Sequence, residues 1–106
     1  MGYIDEAIKT ATDENKASVY RNAAKYAVAK NSRLKEALTW MDESIKANES
    51  WYSYWVKADV QHANGDNAGA KKSANKAIEI GEAAAKKDGK KFGYKARIQK
   101  AMEAYK

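Results

Sequence analysis

The stretch Trp51–Ala85, WYSYWVKADVQHANGDNAGAKKSANKAIEIGEAAA, constrains the fold of this 106-residue chain more than any other. At about 100° per residue, Trp51, Trp55, Ala58 and His62 fall within about 60° of one another on a helix, with Tyr52 and Tyr54 beside them. Such an aromatic face has to be covered. Gly65 can take the left-handed conformation that ends a helix, and Asp66 can cap the next one with its carboxylate at the positive end of the dipole. Beyond that turn, Ala70, Ala74, Ala77, Ile78, Gly81, Ala84 and Ala85 form a stripe of mostly small residues, onto which a neighbour with large side chains can pack closely. The expectation is a pair of helices hinged at Gly65-Asp66, large residues against small.

The rest of the chain extends this pattern. Proline is absent and glycine is limited to six residues, so little interrupts a helix. Ile4, Ala7, Ile8 and Ala11 share a stripe, with Thr12 and Asn15 as polar groups at the next junction. Val19, Tyr20, Ala23, Ala24, Ala27 and Val28 recur at helical spacing up to Lys30, and Asn31-Ser32 offers a turn and an N-cap. Leu34, Ala37, Leu38, Met41, Ser44 and Ile45 form the following stripe, with Trp40 at its margin, and Ser50 can cap the helix that opens at Trp51. Asp88-Gly89 marks a turn, after which Tyr94, Ile98, Ala101, Met102 and Tyr105 lie on one side of a last helix. The fold class expected is all-α with about six helices in a single domain over 1–106. It comprises a flanking helix at 3–12, a hairpin at 15–48, a second at 51–87 and a capping helix at 91–105. Trp55, Leu38, Ile45, Ile78 and Trp51 are the expected core keystones, each contributing roughly 1.5–3 kcal/mol before entropy is subtracted.

The two hairpins resemble one another. Ala24 matches Ala58 at a separation of 34, while Ala37 matches Ala70, Ser44 matches Ala77 and Ile45 matches Ile78 at 33. A two-helix unit repeating at that period resembles the tetratricopeptide family, and the second hairpin carries the likeness best through Tyr54, Trp55, Ala58, Gly65-Asp66, Ala70 and Ala77-Ile78. Two departures stand out: the proline that closes each repeat in that family is missing, and Ala74 stands where a larger residue is usual. The resemblance covers about 65 of the 106 residues. The order AAKY, LKEALTW, KAD, NGD, AGAKKSANKAIE is also similar to the helical C-terminal region of an uncharacterised bacterial domain family, in which a β-rich domain precedes it. The tetratricopeptide likeness implies a right-handed stack of antiparallel hairpins whose first helices line a groove. Carried across by alignment, the groove positions are Arg21, Lys25, Tyr52, Asp59 and His62. They combine charge, aromatic area and hydrogen bonding, which suits a peptide or a partner helix.

Charge is unevenly placed. The chain carries +6 overall, and from residue 70 onward eleven basic residues face four acids, leaving the first two thirds close to neutral. Lys86, Lys87, Lys90, Lys91 and Lys95 are therefore the candidates for an alternative function, binding nucleic acid or another anionic surface, with Phe92, Tyr94 and Tyr105 as the few nearby aromatics. Solvated lysines on helix faces account for the same pattern. A third reading has the aromatic face pairing with another copy or with a missing upstream domain; a monomer is expected.

Recognisable chemistry is sparse. With no cysteine, disulfides, thiolate catalysis and sulfur-ligated metals are excluded. The lone His62 has no evident helper, and Asp59, His62 and Asp66 lack the ligand density of zinc or calcium motifs. Gly65-Asp66-Asn67-Ala68-Gly69 lacks the lysine and preceding strand of a phosphate loop. No enzyme, cofactor or metal is expected. No apolar run approaches the roughly 20 residues needed to span a bilayer, and MGYIDEAIKT is not a signal peptide, so a soluble segment is expected, with the compartment left open.

Overall fold

The computed structural model describes residues 2–105, with side chains from residue 5, so the Ile4 side chain and Lys106 lie outside the described residues. Six α-helices occur among them: α1 (Gly2–Lys9), α2 (Lys16–Lys30), α3 (Leu34–Ala47), α4 (Trp51–Ala63), α5 (Asn67–Lys87) and α6 (Lys95–Met102), with no strand. The fold is all-α. α1 packs on α2, α2 on α3 and α4, α3 on α4, α4 on α5, and α5 on α6. The molecule measures 42 × 33 × 17 Å, and the short axis leaves room for only two layers of helices.

Local chemistry fixes most helix ends. Ser50 Oγ accepts from Ser53 N at 3.2 Å to start α4. At the hinge, Gly65 takes φ +84° and Asp66 Oδ1 accepts from Gly69 N at 2.9 Å. A Cβ on Gly69 would meet that carboxylate and the Gln61 amide, which would have to turn aside to make room. The α2–α3 turn is built differently from the expected Ser32 cap. Asn31 and Arg33 both adopt left-handed backbone, at φ 51° and 56°, and Ser32 N donates back to Ala27 O. Arg33 occupies the N-cap position without capping through its side chain. Its guanidinium instead reaches Asp5 at 2.8 Å and Glu36 at 2.7 Å and lies 5.0 Å from the Trp40 ring, tying α1 to α3.

The two terminal helices are shorter than their periodicity suggests. α1 stops at Lys9, where Thr10 Oγ1 donates back to Glu6 O and Asn15 Oδ1 accepts from Thr12 N at 2.7 Å, drawing the chain into a turn. α6 starts at Lys95 rather than 91, because Phe92 is held against the core and keeps the residues around it out of a helix.

The core is in two parts that meet at α4. Ala23, Ala24, Ala27, Ala37, Trp40, Met41, Val56 and Val60 form one. Ala58, Ala70, Ala74, Ala77, Ile78, Ile98 and Tyr105 form the other, with Trp51, Trp55 and Phe92 packed against it. Large residues of α4 do meet small ones of α5. Among the expected keystones Ile78 is buried, whereas Leu38, Ile45, Trp51 and Trp55 are half-buried. The most sequestered large side chains are Tyr105, Met41, Ile98 and Val60. Trp51 and Trp55 belong to the opening turns of α4, where Phe92 and Tyr94 from the α5–α6 connection cover them only in part.

Candidate functional site

Tyr52, Val56 and Asp59 follow one another along α4 at helical spacing and face α2, where Arg21, Lys25 and Val28 recur in the same way. Between the two helices lies a cleft of about 180 Å³ lined by Lys25, Val28, Ala29, Val56 and Asp59. Its floor is apolar, and its charged groups, Lys25 and Asp59, come from opposite helices.

Tyr52 is the centre of a cationic cluster. Lys25 Nζ donates to its hydroxyl at 2.7 Å, and the Arg21 guanidinium and Lys25 ammonium lie 5.0 and 5.3 Å from its ring centroid. Arg21 Nη1 also donates to Ser53 Oγ at 3.4 Å, while its Nε is buried without a partner among the described residues. No carboxylate lies within ion-pair distance of Arg21 or Lys25 among the described residues. The cluster is ordered by a ring and a hydroxyl, and neither of its charges has an ion-pair partner among the described residues.

Asp59 sits farther along. One side of the residue is open to solvent, yet protein crowds the carboxylate from the other, and that desolvation pushes its carboxyl above the ordinary range. Tyr105 Oη donates to Asp59 Oδ1 at 3.0 Å and, with His62 and Lys25, opposes the shift. The Tyr105 hydroxyl is itself pushed up, first by burial and then by the Asp59 charge. His62 lies one turn on, its ring 5.1 Å from Tyr105 and its Nδ1 2.7 Å from Asn67 Oδ1.

The structure thus brings Arg21, Lys25 and Tyr52 together, and Asp59 shares with Lys25 a cleft whose lining leaves out Arg21 and Tyr52. It turns His62 toward Tyr105 and Asn67, outside the cleft lining. Val56, Ser53 and Tyr105 are the participants that sequence reasoning missed. Val56 could have been found by stepping one turn from Tyr52, whereas nothing local relates Tyr105 to Asp59. Trp51 and Trp55 stack on each other at 6.1 Å beside the site, each in a T-shaped contact with the Tyr52 ring. Tyr54 donates to Glu49 at 2.9 Å, and burial followed by that neighbour raises its phenol.

The basic candidates are divided. Lys86, Lys90, Lys91 and Lys95 line a shallow bowl of about 410 Å³ with Glu82 and Phe92, and Lys87 stands outside it. Of the aromatics expected to stack on bases, Phe92 is packed against Gly81 and Trp51 and Tyr105 is buried, which leaves only Tyr94 exposed. Among the described residues no group of three His, Asp or Glu side chains is placed to hold a metal ion, and no helix is long and apolar enough to cross a membrane. No family model, curated protein or solved structure matches the chain.

Proposed function

We propose that the chain is a non-catalytic interaction module, a small tetratricopeptide-like stack that takes an extended peptide or a partner helix into the groove between α2 and α4. The observation that carries this reading is the Arg21–Lys25 pair around Tyr52, uncompensated by any carboxylate within ion-pair distance among the described residues, beside an apolar cleft. Such a site suits a segment that presents an acidic residue next to an apolar one. The repeat reading is supported by burial at matched positions: Ala24 and Ala58, Ala37 and Ala70, and Ser44 and Ala77 are all fully buried. It is also supported by Ser44, late in α3, donating to Ala17 O, early in α2, at 2.7 Å, as a hairpin requires. On the separate likeness to the helical C-terminal region of an uncharacterised bacterial domain family, we read the chain as the helical part of a larger bacterial protein.

Peptides selected by display on the intact chain test the groove. Enriched sequences should carry Asp or Glu beside an apolar residue and perturb amides of α2 and α4. The double substitution Arg21→Ala/Lys25→Ala should weaken them by roughly tenfold or more. Selected peptides that bind another face, or that bind the double variant equally well, would remove the assignment.

A further inference from the structure

We propose that the bowl between the end of α5 and the start of α6 binds an oligophosphate chain, the run of linked phosphates present in inorganic triphosphate and in the tail of a nucleoside triphosphate. Four lysines, Lys86, Lys90, Lys91 and Lys95, line it against one acidic residue, Glu82. That carboxylate is already engaged, lying 3.1 Å from Lys95 Nζ. Among the described residues no acid lies within ion-pair distance of Lys86, Lys90 or Lys91.

Solvation of a helix end explains only part of this cluster. Lys86 lies in the last turn of α5, where a cation complements the helix dipole. Lys90 and Lys91 lie beyond that helix, and Lys95 opens α6, where the dipole disfavours positive charge. The first turn of α6 holds no acid, and its N-cap residue Tyr94 makes no side-chain cap. Lys95 is the one cation placed against a dipole and Glu82 already pairs with it, so the uncompensated charge of the bowl rests on Lys86, Lys90 and Lys91, with Asp88 as the other acid at the junction.

The lysines stand on a fixed base. Gly89 takes φ +69°, Gly89 N donates to Lys86 O at 3.0 Å and Lys90 N to Ala85 O at 2.8 Å. Phe92 then anchors the connection, its ring packed on Gly81, where no Cβ fits, and 5.0 Å from Trp51. The backbone of the site is thus set before binding, and the ordering cost falls on the lysine side chains. Lysine ammoniums act as point charges without the planar fork of arginine, which suits a flexible chain of phosphates. The bowl has room for more than one phosphate. Phe92, the aromatic residue in the bowl's lining, is already packed on Gly81 and Trp51, so the phosphates rather than a base are the expected point of recognition.

Titration of the labelled chain at low salt with inorganic triphosphate, ATP and orthophosphate tests this. Triphosphate and ATP should saturate with similar affinity, orthophosphate should bind at least roughly tenfold more weakly, and the shifts should centre on residues 86–95. Lys90→Gln/Lys91→Gln should weaken triphosphate by roughly tenfold while leaving the thermal midpoint and the affinity of groove peptides unchanged. The proposal is overturned by the absence of saturable shifts, by equal shifts at Lys71, Lys72 and Lys76, or by a double variant that binds as tightly as the parent. Preference for a single-stranded oligonucleotide by more than roughly tenfold over triphosphate would also overturn it, making the occupant nucleic acid. Because the groove lies on α2 and α4, either site can fail without the other.

Discussion

Gly81 is buried within α5 and faces the Phe92 ring, and a methyl group added there would overlap that ring. Gly81→Ala should gain about 0.5–1 kcal/mol in helix propensity and lose about 1–3 kcal/mol to overpacking, a net destabilisation readable as a lower urea midpoint. Displacement of Phe92 should also alter the fluorescence of Trp51. An equal or higher midpoint would show that the connection yields freely. Asp59 makes a second residue-level prediction. Its carboxyl holds a proton to higher pH when folded than when unfolded, so stability falls as pH rises from the ordinary carboxylate range through the raised value. Asp59→Asn keeps an acceptor for Tyr105 and removes the titration. The variant's advantage in melting temperature should be near zero at about pH 3 and grow toward about pH 7, and a gap that stayed constant or reversed would contradict the crowded carboxylate. Ser50, Gly65 and Asp66 were legible from sequence because a cap involves residues three or four apart. The Tyr105–Asp59 bond spans 46 residues and has no local signature.

At the scale of the element, α4 serves both cores, offering Val56 and Val60 to one and Ala58 with Trp51 and Trp55 to the other. That division explains the wide aromatic arc in its first two turns: Tyr52 goes to the groove, and the tryptophans go under Phe92 and Tyr94. α3 supplies a graded test. Met41 is fully buried, so Met41→Ala should cost about 2–5 kcal/mol by chemical denaturation, whereas the half-buried Ile45 should cost less when cut to Ala. Equal losses would mean that the faces of α3 are assigned wrongly. The middle helices could be read from the sequence because their stripes are long and bounded by turn residues. The ends of α1 and α6 could not, because Thr10, Asn15 and Phe92 override the local period with contacts that periodicity does not encode. Ranking the core by side-chain size also misled, because burial depends on what the neighbouring elements cover. Trp55 lies at a partly covered edge, while Met41 and Val60 lie between helices.

For the whole molecule, a two-layer slab with two cores could separate into halves, but α4 forms part of each core. Unfolding followed through Trp40 in one core and through Trp51 and Trp55 in the other should give coincident midpoints, with single-tryptophan variants as probes. Distinct midpoints would show that α4 fails to couple the halves. The groove and the lysine bowl draw on different helices and share no lining residue. The main contacts join helices that are adjacent or next but one along the chain, with Tyr105 reaching back to Asp59 as a far longer closure. Short-range contacts of this kind favour rapid assembly, on the order of microseconds to milliseconds, and the long closure adds its loop entropy at the end. Tyr105 should accordingly dock after the rate-limiting step. Tyr105→Phe is expected to quicken unfolding while leaving the refolding rate almost unchanged, so that this one hydroxyl governs how long the native molecule lasts rather than how fast it forms.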